Sequence, residues 1–345
     1  NIANGGSPSA IGASSADPAN LVLAGGTFHY SGPPASSDRG YSYSGTNNTI
    51  QADGDLALGG SVSAAPDSVF LKTGSGTLTY TKAGTNLIAS GGIPATFAAY
   101  NAAAGTVVLD GRAGDQTNYV QGEVWVGGTT SSGASMILSN TILNSSSWVA
   151  VGRGNGDSDF LSTLRLEDST INIGSGGFSA GFDADLPLNA GIMVQARQQI
   201  TLSGNSALNV ADGRIFIAER RGSTASVLLK GNSRMTNSLN ASVAVAAGGS
   251  IAGATGAVEI AESALWRVGS HFSLANEGGV ASMVVKDSGT FIAGTDLNVT
   301  DVGPCTATLI AQDNAYVEAN IIFVGKDDDA VGVFNITNNA TVVAR

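Results

Sequence analysis

Residues 258–275 read Val258-Glu259-Ile260-Ala261-Glu262-Ser263-Ala264-Leu265-Trp266-Arg267-Val268-Gly269-Ser270-His271-Phe272-Ser273-Leu274-Ala275. Three short apolar segments sit here within eighteen positions, each with its apolar residues two apart: Val258 and Ile260, Trp266 and Val268, Phe272 and Leu274. A spacing of two is the period of a β-strand, whose side chains point alternately to opposite faces. Glu262-Ser263-Ala264-Leu265 between them reads as a corner, and Gly269 as a second break. Three strands and two sharp corners in so short a span predict one coil of a β-solenoid.

The same order recurs on both sides. The second apolar residue of the strand equivalent to Phe272–Leu274 falls at Val126, Val151, Ala180, Ile217, Val245, Leu274, Val299 and Val324, in steps of 25, 29, 37, 28, 29, 25 and 25 residues. The corner of acidic or amide residue, small residue, any residue and apolar residue recurs at Asp168-Ser169-Thr170-Ile171, Asn205-Ser206-Ala207-Leu208, Asn232-Ser233-Arg234-Met235, Asn314-Ala315-Tyr316-Val317 and Asn339-Ala340-Thr341-Val342. Asp287-Ser288-Gly289-Thr290-Phe291 reads as the same corner with one extra residue. Asn and Asp suit such a corner because their side chains bond nearby backbone and tolerate left-handed geometry. A repeat near 25 residues is shorter than a propeller blade of ~40–45 residues. The competing reading of each segment, a hairpin in a sandwich, does not account for eight occurrences in one order. No window of ten residues carries a helical period, and Gly, Ser, Thr and Asn penalise helix throughout.

These features divide the chain into residues 1–120, with degenerate coils, and residues 121–345, with about eight regular ones. In the first part Leu21–Phe28, Thr49–Ala52, Leu71–Tyr80 and Thr106–Gly111 read as coils, residues 31–45 as an excursion from the stack, and the Ala-rich residues 89–104 as an insert holding the one short helix. The expected fold is all-β: a parallel β-helix of ~25-residue coils with loop insertions.

Composition narrows the function. The 345 residues carry a formal net charge of −11 with only 12% charged residues, so the clustered Lys and Arg of a phosphate-binding face are missing and nucleic acid is not a partner. At 43% hydrophobic the chain can bury a core, yet no run approaches the ~20 apolar residues of a membrane-spanning helix. One cysteine, Cys305, excludes an intramolecular disulfide. Asn1 in place of an initiator methionine, with no charged-then-apolar leader, reads as an excised or processed piece.

Leu71-Lys72-Thr73-Gly74-Ser75-Gly76-Thr77-Leu78-Thr79 resembles the autotransporter-associated β-strand repeat. The units at Trp266–Gly269, Phe272–Ala275 and Ser282–Phe291 resemble passenger segments of large bacterial autotransporter adhesins. The resemblance implies a right-handed parallel β-helix that is exported and displayed at, or released from, a bacterial surface. It specifies architecture and no catalytic residue, and neither the leader nor the C-terminal membrane barrel of that family is recognisable.

Residue types that carry chemistry are sparse. Gly177-Phe178-Ser179-Ala180-Gly181 matches the nucleophile elbow G-x-S-x-G, but Phe178 and Ala180 are in strand register and no helix follows. His29 and His271 have no metal-ligand spacing to a partner. Gly152-Arg153-Gly154-Asn155-Gly156 lacks the frame of a dinucleotide fingerprint. Cys305 follows Pro304 in an expected loop and offers at most a bond between chains.

Carboxylates are the fuller set: Asp157 and Asp159, Asp183 and Asp185, Glu219, Glu277, Asp301, then Asp327, Asp328 and Asp329. Stacking sets their loops along one edge, where like charges repel unless solvated or bridged. Ca2+ is the bridging reading, with Asp157, Asp159, Asp327, Asp328 and Asp329 as ligands; solubilising loops are the other. A polysaccharide lyase or hydrolase needs carboxylates beside a basic residue, which Arg153 with Asp157 and Asp159, or Arg214 with Glu219, Arg220 and Arg221, would supply. A carbohydrate-binding module would use Tyr30–Tyr43 and Trp125, Trp148 and Trp266. The favoured expectation is a non-enzymatic, secreted or surface-exposed structural and adhesive rod. Its partners would be surface glycans or neighbouring cells, with head-to-tail self-association through open strand edges as a further possibility.

Overall fold

A computed structural model describes residues 1–90, 99–127, 133–152, 160–180, 197–219, 222–245 and 253–345. Among these residues no α-helix occurs; the single helical turn is 3-10, at Pro18–Asn20. Strands pair in parallel with partners one coil away. The chain is therefore a β-solenoid, each coil contributing one strand to each of three stacks.

The third stack is a 12-stranded sheet that begins at Ala35–Ser37 and ends at Val331–Ile336. The first and second stacks merge into one 20-stranded sheet, because Thr170–Ala180 and Ala207–Ile217 each run without interruption through both. At the N-terminal end the first stack starts as a separate three-stranded sheet, Val22–Ala24, Tyr41–Ser44 and Val62–Ala64.

Inward positions align coil over coil. In the third stack Leu109, Leu138, Leu166, Leu202, Leu229, Ile260, Val285 and Ala311 are successive register partners, and all are buried. Parallel strands buried on one continuous face lay like residues over like, so the apolar spacing of two becomes an unbroken column. One core runs from Ile2 to Ala319. Aromatics fill it in two places: Tyr41, Tyr43, Phe70, Tyr80 and Tyr100 near the start, and Trp266 edge-on to Phe272 and Phe291, with centroids 5.2 and 5.8 Å away.

The two corner signatures have a common cause. Gly127, Gly152, Ala218 and Ala244, just past the second strand, hold φ between 51° and 73°, so a small residue is required there. At the other corner the left-handed residue is Asp168, Gly204, Gly231, Glu262, Asp287, Asp313 or Asn338. In four of these corners the left-handed residue precedes the amide that the sequence pattern singles out. From Gly204 onward the inward residue comes four places later: Leu208, Met235, Trp266, Phe291, Val317. Asp287 therefore carries no extra residue relative to Glu262, and Trp266 rather than Leu265 points into the core.

One expectation for the first third changes. Residues 31–45 contain Ala35–Ser37 and Tyr41–Ser44, which are strands of the stack, and Tyr41 and Tyr43 are among its largest buried side chains. The Pro33-Pro34 pair and the tyrosines give this coil the look of a loop, but the tyrosine hydroxyls find partners inside: Tyr41 shares a hydrogen bond with Tyr80 at 2.7 Å, and Tyr43 donates to Ile88 O at 2.8 Å. Of the Ala-rich residues 89–104, numbers 91–98 lie outside the described residues. The flanking parts are strand, Gly84–Ser90 and Tyr100–Ala102.

Lys72 occupies an inward position whose register partners are Ile50 and Ala102. Its ammonium is buried and donates to the carbonyls of Gly74 and Ala104 at 2.9 and 2.8 Å and of Gly76 at 2.5 Å. A second polar knot, Gln116, Asn118 and Thr141, closes the neighbouring corner with side-chain hydrogen bonds of 2.9–3.0 Å. Residues 1–20 fold over the first corner, where Arg39 donates from Nε to Ala3 O at 2.9 Å and from Nη1 to Ser14 Oγ at 2.9 Å.

Candidate functional site

The outward central positions of the second stack form a line along the rod: Asn101, Trp125, Ala150, Ser179, Phe216, Ser242. Adjacent strands are ~4.8 Å apart, so Trp125 and Phe216 stand ~14 Å apart with only Ala150 and Ser179 between them. The result is a notch, a groove of about 620 Å3. Its floor is Ala150 and Ser179, its walls include Trp148 and Phe216, and Glu123, Asp212, Arg214 and Glu219 stand around it.

Glycine sets the position of Trp148. A Cβ on Gly176 would lie 2.5 Å from Trp148 Cδ1, and one on Gly177 would lie 2.8 Å from Cζ3. The indole thus rests on bare backbone, one face covered by the two glycines and the rest half-exposed toward the groove. Ser179, itself buried, donates its hydroxyl to Glu219 Oε2 from the next coil. Trp125 Nε1 donates to Glu123 Oε2 at 2.6 Å. Both glutamates are therefore held by neighbours at the groove edge, while Asp212 and Arg214 are exposed.

The motif residues are distributed accordingly. Ser179 sits on a strand, as its register predicts, and no histidine accompanies it: His29 precedes it by six coils, and His271 lies at the start of the strand three coils on. It is a hydrogen-bonding floor residue. His29 is a surface residue paired with Asp53 at 2.6 Å, a contact that holds the Asp53 carboxyl below its usual range. Trp266 is wholly buried and takes no part in binding. Cys305 is buried with its thiol toward Ala275 O at 3.6 Å, and burial pushes the thiol pKa up, so it is shielded from a bond between chains.

Among the described residues the acidic edge is not a row of confronting charges. Glu219 takes the hydroxyl of Ser179, and Asp301 takes Ser273 Oγ at 2.5 Å and Lys326 Nζ at 2.7 Å. Lys326 and Ser273 keep the Asp301 carboxyl low against the opposing effect of burial. Asp327 accepts from the backbone N–H of Gly303 and of Asp328, each at 2.9 Å, which lowers its pKa and ties down a loop. Asp328 and Asp329 are exposed beside it. Among the described residues no three His, Cys, Asp or Glu side chains converge on a point that would hold a metal ion. Asp157, Asp159, Asp183, Asp185, Arg153, Arg220 and Arg221 lie outside the described residues. Of the two basic clusters read from the sequence, only Arg214 and Glu219 are placed, and both border the groove.

The sequence pattern alone did not single out this groove. Its signal is the run Trp125, Ala150, Ser179, Phe216 in one register, which emerges only once the 37-residue step between Ala180 and Ile217 is aligned.

Fold and site together define a parallel β-solenoid with a polar, aromatic-walled notch on one face. The chain is similar to an autotransporter adhesin, "Adhesin BmaC autotransporter", of Brucella suis biovar 1 (strain 1330), with 33% identity over 220 residues, or 60% of this chain. The match spans 6% of that relative's length. No family model matches the chain, and no solved structure matches it. No helix among the described residues is long and apolar enough to cross a membrane.

Proposed function

We propose that this chain is a displayed segment of an adhesive, non-enzymatic β-solenoid that acts outside the cell, at or beyond a bacterial surface. The observation that supports it most is the 33% identity over 220 residues to a protein named as an autotransporter adhesin. The architecture suits the role: a continuous apolar column stiffens the chain, and some outward positions repeat the same polar group over neighbouring coils. Asn144, Asn172 and Asn209 form one such ladder, joined by amide hydrogen bonds of 2.9 and 3.0 Å. Weak contacts of ~1 kcal/mol each gain force when a stiff scaffold presents many at once.

Beads coated with the chain test the reading. They should adhere to animal-cell or bacterial-cell layers more than beads carrying a β-helix of unrelated sequence; equal retention would refute it. A polysaccharide lyase or hydrolase on the same scaffold predicts reducing-end release from acidic or neutral polysaccharides, and our reading predicts none. End-to-end self-assembly into a filament is the alternative to a rod that acts singly. Our reading predicts a monomer by light scattering across concentrations, and growth of mass with concentration would favour self-association.

A further inference from the structure

We propose that the outer face of the third stack pairs with the same face of a second copy, the two rods lying side by side and antiparallel. The inference goes beyond the adhesive reading and leans on it only for the dense display of the chain on a surface.

The order of side chains along the face carries the argument. Its central outward line holds one residue per coil, and Arg165 and Glu259 stand on it three strands apart, with Thr201 and Leu228 between them. A two-fold axis along the strand direction, passing between Thr201 and Leu228, reverses the order of the coils and sets each outward line against itself. Arg165 of each copy then faces Glu259 of the other. The same axis, with nothing left to adjust, sets Ile137 opposite Val284, Val108 opposite Ile310 and Thr79 opposite Asn335. Thr201 opposite Leu228 is the one unlike pair on this line. On the next outward line the axis sets Thr106 opposite Thr308 and Ser135 opposite Ser282. The face is therefore self-complementary in charge and in polarity. The outward line of the first stack from Tyr119 to Glu318 has no such symmetry: reversed on itself, it sets Asn144 against Ile292 and Asn172 against Arg267.

Size and charge set the strength. Thr79 to Asn335 spans nine strand steps, about 43 Å, and two outward lines with their side chains are about 14 Å wide. Pairing would bury about 600 Å2 on each rod, or about 1,200 Å2 in all, which is the lower limit of a specific interface. The side chains of Arg165 and Glu259 are 58% and 42% exposed, and each already has a partner on its own rod, Glu167 and Lys286. Pairing exchanges one surface ion pair for another, so the net gain is small. A single pair is thus short-lived in free solution, in keeping with a monomer there. Many pairs acting together between two coated surfaces hold.

Beads of two colours coated with the intact chain test the proposal at ~0.15 M salt, where a Debye length of about 8 Å screens the net charge of −11. Wild-type beads should clump. Arg165→Glu beads alone, and Glu259→Arg beads alone, set like charges opposite one another twice in each pair and should clump about tenfold less. When the two variants are mixed, opposite charges face each other again, and two-coloured clumps should return to the wild-type amount. The double variant should likewise clump on its own. Misfolding does not produce either rescue, and far-UV circular dichroism confirms the strand signal of each variant.

Dispersed wild-type beads, undiminished clumping of either single variant, or failure of both rescues would overturn the assignment. Retention of the same beads on cell layers is read separately, so the adhesive reading survives the failure of this one.

Discussion

Lys72 offers a sharp test of how the N-terminal coils are held. Its side chain points into the core at a position where the coils above and below place Ile50 and Ala102. Burial pushes its pKa down to about 8 from 10.5, with Asp53 and Asp55 holding it up in part. The charged form is thus disfavoured in the folded chain relative to the unfolded one. Below pH 8 both states carry the proton and the full penalty applies. Between pH 8 and 10.5 the folded state releases its proton first, so the unfolded state binds more protons and stability rises with pH. Fully developed, the difference is worth ~3.4 kcal/mol, and from pH 7 to pH 9.5 about 2 kcal/mol of it is recovered. The near-UV tyrosine signal reports these coils, because Tyr41, Tyr43, Tyr80 and Tyr100 all pack there. Urea titrations followed by that signal should show the midpoint rising from pH 7 to 9.5 in the wild type. In Lys72→Met the rise should vanish. A wild-type midpoint that falls over this range, or an identical rise in the variant, would refute the reasoning.

Other predictions concern groups elsewhere in the rod. Burial raises the phenol pKa of Tyr41, Tyr43, Tyr80 and Tyr100, so these coils lose stability as pH climbs above ~10, the unfolded value; absorbance titration should show four of the seven tyrosines ionising only with unfolding. Phe70→Ala empties the centre of that aromatic group, where ring centroids are 5.2–5.7 Å apart, and should cost about 3–5 kcal/mol, read as an early tyrosine transition with the tryptophan transition unmoved. Thiol reagents should find no reactive cysteine in the native chain and one after denaturation, since Cys305 is buried. Calcium in excess and chelator should give the same melting midpoint, because Asp327 already accepts two backbone N–H groups and no described cluster completes a cation site; a gain of several degrees with calcium would restore the bridging reading.

The fold was legible in the sequence because its period is a property of side chains alone. Val, Ile and Leu every second residue, with a small or amide residue at each corner, are what a stacked column and a left-handed turn demand. Tyr41 and Tyr43 were misread for a physical reason: their polar hydroxyls and the prolines nearby suggest solvent, and only a three-dimensional partner such as Tyr80 or Ile88 O makes their burial favourable. Lys72 was illegible for the same reason, since carbonyls from three separate positions receive its ammonium. The groove was half legible. Trp148, Arg214 and Glu219 drew notice as types, but their meeting depends on the register across a long insertion and on the bare backbone of Gly176 and Gly177. The carboxylates show the converse: the sequence reveals where they fall, and it cannot reveal that Ser179 and Ser273 answer Glu219 and Asp301 from the neighbouring coil.

The stack itself is open to direct measurement. Val108, Leu228, Val284 and Asn335 share one outward register line of the third stack, with Leu228 four, Val284 six and Asn335 eight strands beyond Val108. Spin labels on Val108 paired with each of the other three should give electron–electron distances centred near 19, 29 and 38 Å, growing by ~4.8 Å per coil. Distances that fail to increase along the series, or that shorten at Asn335, would show that the coils fold back on one another and do not form a rod.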